Sequence, residues 1–214
     1  MLSHLTDKII SVNERDRLRL SIWGISKSKL ITIYNGIELS EFEHALDRSE
    51  ARKIIGVPPD QPLVMQIGRM SAQKSPFDFI DGAAVILQSH PEVQFVMIGD
   101  GPLLSEAKLK VQADGLERSI RLAGHIENAY RLIPAADIVT LTSAWEGTPY
   151  TVLEAMAYAK PVVATAVNGC TEIVEHGKSG LLVPTGDHRM WANSVIEFID
   201  HPQKANMFGQ KGRQ

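Results

Sequence analysis

Between Leu63 and Val183 short apolar runs recur at Leu63–Ile67, Val93–Ile98, Ile120–Ala123, Ile138–Leu141, Pro161–Ala164 and Gly180–Val183. They are apolar nearly throughout rather than alternating, which predicts strands buried on both faces. Amphipathic stretches such as Pro76–Gln88 and Leu103–Ala113 lie between them. In the first of these, Phe77, Ile80, Ala84 and Leu87 follow three- and four-residue spacing, which predicts a helix with that row facing the core. Strands that alternate with helices make an α/β fold, a Rossmann-like doubly wound parallel sheet. Such folds bind ligands at the C-terminal ends of their strands. The residues just after each run are therefore the functional candidates.

The first 60 residues read differently. Lys8–Val12 predicts a short strand, Glu14–Ile22 a helix, and Leu30–Tyr34 a second strand ended by an Asn35-Gly36 turn. Glu41–Ile55 reads as helical and is ended by Pro58-Pro59-Asp60-Gln61-Pro62. Composition adds exclusions. Hydrophobic residues make up 44% and charged residues 22%, as in ordinary globular chains. The net charge of −3 carries no basic footprint for nucleic acid. No apolar run reaches the ~18 residues that span a bilayer, and Met1–Lys8 lacks the pattern of a signal peptide. Peripheral membrane association through a longer protein stays open. Cys170 is the only cysteine, so no intramolecular disulfide forms, and the count fits a cytoplasmic, reducing compartment.

The run Asp137–Thr142 leads into Ser143-Ala144-Trp145-Glu146-Gly147-Thr148-Pro149-Tyr150-Thr151-Val152-Leu153-Glu154-Ala155-Met156-Ala157. Proline is tolerated at the first helical position, so Thr148 is expected as N-cap. The N–H groups of Tyr150 and Thr151 then lack intrahelical partners and face a phosphate. Glu146 before the helix and Glu154 in its second turn suit the hydroxyls of a sugar and a ribose. The first strand ends at Gly68-Arg69, with Lys74 five residues on. Arg69 offers a planar fork of donors and Lys74 a mobile charge for phosphate. Gly99-Asp100-Gly101 begins a dinucleotide fingerprint, but Leu104 stands at its third glycine, which disfavours an NAD enzyme. The seven histidines follow no metal-ligand spacing, so neither metal nor cofactor is expected. Cys170 reads as a packing residue or an incidental surface thiol.

Ser-x-x-Glu-Gly-x-Pro, the Glu-x7-Glu pair Glu146 and Glu154, and Leu-Glu-Ala-Met-Ala together resemble a large family of retaining glycosyltransferases of GT-B architecture (family 4-like, glycosyl transferases group 1). The resemblance runs from about Leu63 to Gly212. It implies two Rossmann-like domains across a cleft. Residues 1–40 would be a remnant of the N-terminal domain and crossover, 41–62 a linker, and 63–214 the C-terminal donor-binding domain. Family members usually continue past Gly-x-x-Gly-Arg with a long helix, so the chain is expected to be the donor half of an enzyme and inactive alone, with the acceptor domain missing.

The resemblance implies that Arg69 and Lys74 hold a diphosphate with help from the backbone at Tyr150 and Thr151, and that Gly68 permits the turn before them. Glu154 would bind ribose. Glu146, with Gly147 and Thr148, would meet the donor sugar, and Ile126 and its neighbours would hold the base through backbone groups. In the loop Ala166–Glu172 the family often has two glycines and a proline, whereas this chain has Asn168, Gly169 and Thr171. The implied reaction moves a glycosyl group from a UDP- or GDP-sugar to an acceptor hydroxyl in cell-surface polysaccharide or glycan synthesis. The alternatives are an epimerase acting on such donors and a nucleotide-binding module without catalysis.

Overall fold

The computed structural model describes residues 5–43 and 45–214. Residues 1–4 of the N-terminal stretch and residue 44 of the expected 41–55 helix lie outside them. At the N-terminal end, β1 (Ile9–Ser11) and β2 (Leu30–Thr32) pair in parallel, with α1 (Glu14–Ile22) between them. Asn13 caps α1, its side chain accepting from Asp16 N–H. Asn35 and Gly36 form no turn, and Gly36 does not take positive φ. The dipeptide permits a hairpin turn, but among the described residues no antiparallel strand follows for it to join.

The expected helix over 41–55 is two pieces: a 3-10 turn, Leu39–Phe42, and α2 (Arg48–Ile55). Asp47 accepts from Ser49 N–H and restarts the helix, and Gly56 closes it in the left-handed conformation, where glycine has no Cβ penalty. Arg52 of α2 is fully buried. Its guanidinium donates to the carbonyls of Ala135, Pro58, Pro59 and Gln61 and to the Asp137 carboxylate.

The apolar runs form one parallel sheet: β3 (Leu63–Ile67), β4 (Gln94–Ile98), β5 (Ile120–Gly124), β6 (Ile138–Leu141), β7 (Val162–Thr165) and β8 (Leu181–Val183). The spatial order is β5-β4-β3-β6-β7-β8, so the winding reverses between β3 and β6. The register there is Val64 against Phe95 on one side and Ile138 on the other. Each strand feeds both faces. Val64 joins the cluster under α3 (Pro76–Leu87), α4 (Leu104–Ala113) and α7 (His188–Asp200). Leu63 and Met65 join the opposite one, with α2, a 3-10 segment Ala129–Ala135, α5 (Tyr150–Ala157) and α6 (Asn168–Ile173). This alternation is why the runs are apolar at every position.

The buried row of α3 differs from the expected one. Phe79, Ile80, Ala83 and Ile86 are fully buried, while Phe77, Ala84 and Leu87 are only partly so. The helix is flanked by α4 and α7 as well as the sheet, so its apolar arc is wide and the pattern alone does not identify its centre. Gly82 completes the inner face, since a Cβ there would lie 2.3 Å from the Trp191 ring. The last helix, α8 (Pro202–Arg213), packs Phe208 on Phe198 edge to face. Gly209 lets it approach the turn after α5, where a Cβ would meet the Ala159 carbonyl at 2.0 Å. No helix among the described residues is long and apolar enough to cross a membrane.

Candidate nucleotide-sugar site

The reversal between β3 and β6 opens a crevice at the C-terminal ends of the two strands, and a polar network holds it in shape. Gln66, buried in β3, accepts from Thr142 N–H through its side-chain oxygen, at 3.2 Å. Its amide donates to the Lys74 carbonyl at 3.2 Å. The Thr142 hydroxyl sits 3.0 Å from that same carbonyl. Thr165 of β7 donates to the Ser143 carbonyl at 2.6 Å. These bonds fix the 3-10 turn Ala72–Lys74 against the strand end that leads to Glu146.

Glu146 is buried, and one of its carboxylate oxygens accepts from the Ser143 hydroxyl at 2.6 Å and from the Lys74 ammonium at 2.5 Å. Lys74 also lies over Gly68, where a Cβ would touch its aliphatic stem at 3.4 Å. The structure therefore brings Gly68, Lys74 and Glu146 together. Arg69 stands exposed at the rim of the crevice, and no hydrogen bond or ion pair engages its side chain among the described residues. Ser143 gave no signal of its role in the sequence beyond its place three residues before Glu146.

Thr148 is not the N-cap. α5 begins at Tyr150, and Pro149 is its N-cap, extended and without a side-chain bond. The Thr148 hydroxyl instead donates to the Val12 carbonyl at 2.8 Å. A long-range partner has displaced the local capping bond that the sequence offered. The bonds of α5 begin with the N–H groups of Val152 and Leu153, which both go to the Pro149 carbonyl. The N–H groups of Tyr150 and Thr151 are the free donors of the first turn. The Thr151 hydroxyl ties this end to β3 through the Ile67 carbonyl at 3.1 Å. Glu154, one turn on, is half-buried, and burial raises its carboxyl above the usual range.

A cleft of about 750 Å³ adjoins this end of the sheet, within the size of a small-molecule site. Ile67, Gly68, Arg69, Gly99, His125 and Ile126 are among the residues that line it. Gly99 and Gly101 are required there. Their φ values are +146° and +156°, and a Cβ would lie 2.0 Å from the Gly68 carbonyl in one case and 2.4 Å from the Met70 carbonyl in the other. His125 is exposed and also forms part of this wall. A second cavity of about 570 Å³ lies at the opposite edge, among Arg48, Asp137, Lys160 and the α7–α8 junction. It opens at the N-terminal ends of β3, β6 and β7, away from the ligand end of a doubly wound sheet.

The segment 166–172 is largely helical, since α6 starts at Asn168. Gly169 permits its approach, because a Cβ would meet the Gly147 carbonyl at 2.0 Å. Cys170 is fully buried beneath it, a packing residue rather than a surface thiol, and burial pushes its thiol up to about 12. Among the described residues no group of three or more His, Cys, Asp or Glu side chains is placed to hold a metal ion.

Residues 47–214 match the family described as glycosyl transferases group 1. Similar proteins include UDP-Gal:alpha-D-GlcNAc-diphosphoundecaprenol alpha-1,3-galactosyltransferase of Escherichia coli. It is 27% identical over 200 residues, covering 91% of this chain and 52% of that protein. Among solved structures, HepE of Anabaena in complex with UDP and glucose superposes with a TM-score of 0.90 at 26% identity, over 99% of this chain and 58% of that one. The C-terminal domain of a glycosyl transferase group 1 family protein from Francisella tularensis superposes at 0.75 with 27% identity, over 83% of this chain and 95% of that one. The chain thus spans about half the length of the galactosyltransferase it matches.

Proposed function

The chain belongs to the glycosyl transferases group 1 family, and on that premise we infer that it is the donor-binding part of a retaining glycosyltransferase. The observation that carries the reading is the convergence of Lys74, Glu146 and the free N–H end of α5 at the switch point of the sheet. A nucleoside diphosphate sugar needs cations and N–H donors at its diphosphate and an acceptor beside its sugar. Arg69 and Lys74 meet the diphosphate, with the N–H groups of Tyr150 and Thr151 and the positive helix end behind them. As the glycosidic bond breaks, charge grows on the diphosphate, and fixed cations and dipoles stabilise it without a metal. Glu154 accepts from the ribose hydroxyls. Glu146, held by Ser143, Gly147 and Thr148 at its side, positions the donor sugar. The base lies in the cleft beside Ile126.

The HepE complex with UDP and glucose favours a UDP-sugar as donor. In the longer protein the acceptor surface lies across the crevice, and cell-surface polysaccharide or glycan synthesis is the proposed setting. Attack geometry, which is worth about 7–11 kcal/mol of barrier, needs both walls, so the chain alone is proposed to bind donor without turnover. Calorimetry with UDP and UDP-glucose in the presence of a chelator tests the reading. Binding of both is expected. Binding that requires magnesium or manganese refutes the metal-free account, and the absence of binding by any nucleoside diphosphate or its sugar refutes the donor site.

A further inference from the structure

The N-terminal unit β1-α1-β2 touches the rest of the chain through a compact polar seam, and that seam closes on the loop carrying Glu146. Asn13 is at its centre, 1% exposed. Its side-chain oxygen accepts from Asp16 N–H at 2.7 Å, which is ordinary capping. One amide proton goes to the Asp16 carboxylate at 2.7 Å, and the other goes 134 positions along the chain to the Gly147 carbonyl at 3.0 Å. Ser or Asp would cap the helix as well as Asn does, but neither has an amide donor to reach Gly147. Beside it, the Thr148 hydroxyl donates to the Val12 carbonyl.

The other side of the loop is also held. Gly169 N–H points at the Glu146 carbonyl at 3.4 Å. Glu172 of α6 accepts from the N–H groups of Glu14 and Arg15 at 2.9 and 2.8 Å, satisfying two free donors at the start of α1. Asn168 donates to the remaining oxygen of Asp16 at 2.9 Å. Residues 146–148 are thus clamped between α1 and α6, and their inward side chain is Glu146.

We propose that Asn13, together with Thr148, is a positioning residue for the donor sugar: the clamp from α1 sets the place of Glu146, so a segment far away in sequence helps to form the donor site. The proposal rests on the reading that Glu146 faces the sugar. A loop whose carbonyl and hydroxyl are both tied to one rigid helix start stays in place when the sugar arrives. A released loop would still leave the cleft, Arg69 and the α5 end free to take the nucleotide.

Two substitutions separate the clamp from the cap. Asn13→Asp keeps the capping oxygen and removes the donor to Gly147, but it also sets a second carboxylate against that of Asp16, so a loss in this variant counts for the clamp only where Thr148→Val shows it too. Thr148→Val removes the hydroxyl and leaves α1 intact, and it carries the test if Asn13→Asp does not fold. Hydrogen exchange of the ligand-free chain is expected to quicken about three- to tenfold in residues 143–152, the equivalent of one lost neutral hydrogen bond. Exchange in β3 and β4 is expected to stay unchanged. Affinity for UDP-glucose is expected to fall by a similar factor while affinity for UDP holds within about twofold. Unchanged exchange in both variants, or equal losses for UDP and UDP-glucose, overturns the proposal. If the parent chain binds neither probe, the donor reading fails and the sugar-positioning role fails with it. A clamp that fails while the parent binds both leaves the donor reading standing.

Discussion

Lys74 and Glu146 meet at 2.5 Å, ammonium nitrogen to carboxylate oxygen, between the turn after β3 and the loop after β6. Their side chains are 17% and 6% exposed, so the pair is largely desolvated. The pairing links the two sequence motifs that carry the site: the cation proposed for the diphosphate also fixes the acid proposed for the sugar. A diphosphate that engages Lys74 does so within reach of Glu146.

Replacing Lys74 by Met is expected to leave Glu146 buried with Ser143 as its main partner. Breaking a buried pair from one side costs about 3–5 kcal/mol, and the partial exposure of Lys74 puts the expected loss near the lower end. The double variant Lys74→Met, Glu146→Gln is expected to recover part of it. Urea denaturation of the three proteins checks this. A single variant as stable as the parent would show that the pair contributes little.

Burial raises the carboxyl of Glu154, and no partner among the described residues offsets it. A raised carboxyl favours the native state below its unfolded value, and that contribution is lost as pH rises through the native one. Glu154→Gln is therefore expected to melt higher than the parent at neutral pH, with the gap closing as pH falls toward the ordinary carboxylate range. The same variant is expected to bind UDP less tightly, by about 1.5–3 kcal/mol if it loses hydrogen bonds to a charged group. Melting curves against pH and calorimetry at pH 7 read the two effects separately.

Much of this framework is legible in the sequence because it is local. Leu63–Ile67 and Ile138–Leu141 are strands at the expected bounds, since an unbroken apolar run between breakers leaves little choice. Glu14–Ile22 likewise begins at its cap and ends as expected. The motifs marked Gly68, Lys74 and Glu146 as candidates, but not the ion pair between the last two. What the sequence hides is non-local. Thr148 has the chemistry of a cap, yet Val12 takes its hydroxyl. Asn13 carries no signal in the sequence beyond its place before a helix, and one of its partners lies 134 residues away. The buried row of α3 shifts because three neighbours surround that helix, which composition along one element does not reveal.

The Cys170 thiol, pushed up to about 12 chiefly by burial, is expected to resist alkylation by iodoacetamide at pH 8 in the native chain and to react once urea unfolds it. The native thiol stays protonated where the unfolded one ionises. Stability is therefore expected to decline as pH rises from the ordinary thiol range toward that value. Rapid labelling without urea would contradict a closed α6 packing.

Arg52→Lys tests the difference between a guanidinium and an ammonium. Arg52 spreads its donors over four carbonyls and the Asp137 carboxylate. Lysine keeps the charge but has three donors at one point, so at least two of the five acceptors would lose their partner. Water reaches the exposed Pro58 and Pro59 carbonyls while the Ala135 bond is buried, so the expected loss by urea denaturation is about 1–3 kcal/mol, the cost of one unsatisfied buried group. A loss under about 1 kcal/mol would indicate that water replaces the missing bonds.

Gly99 and Gly115 both take positive φ, +146° and +68°, but their surroundings differ. A Cβ on Gly115 meets nothing within 4 Å, whereas one on Gly99 would stand 2.0 Å from the Gly68 carbonyl. Gly115→Ala then costs only the backbone preference, about 1–2 kcal/mol for a left-handed residue, and lies away from the cleft. Gly99→Ala must also separate the ends of β3 and β4, which Gly68 N–H bonds together through the Ile98 carbonyl at 2.9 Å. That movement displaces Gly68 and with it the turn carrying Arg69 and the stem of Lys74. The expected outcome is two variants that differ in kind. Gly115→Ala melts slightly lower and binds UDP as the parent does. Gly99→Ala loses several times as much stability and binds UDP at least tenfold more weakly even at temperatures where it stays folded, since about 1.4 kcal/mol of lost contact suffices for that factor. Parent-like UDP affinity in a folded Gly99→Ala chain would mean that the nucleotide does not use this cleft.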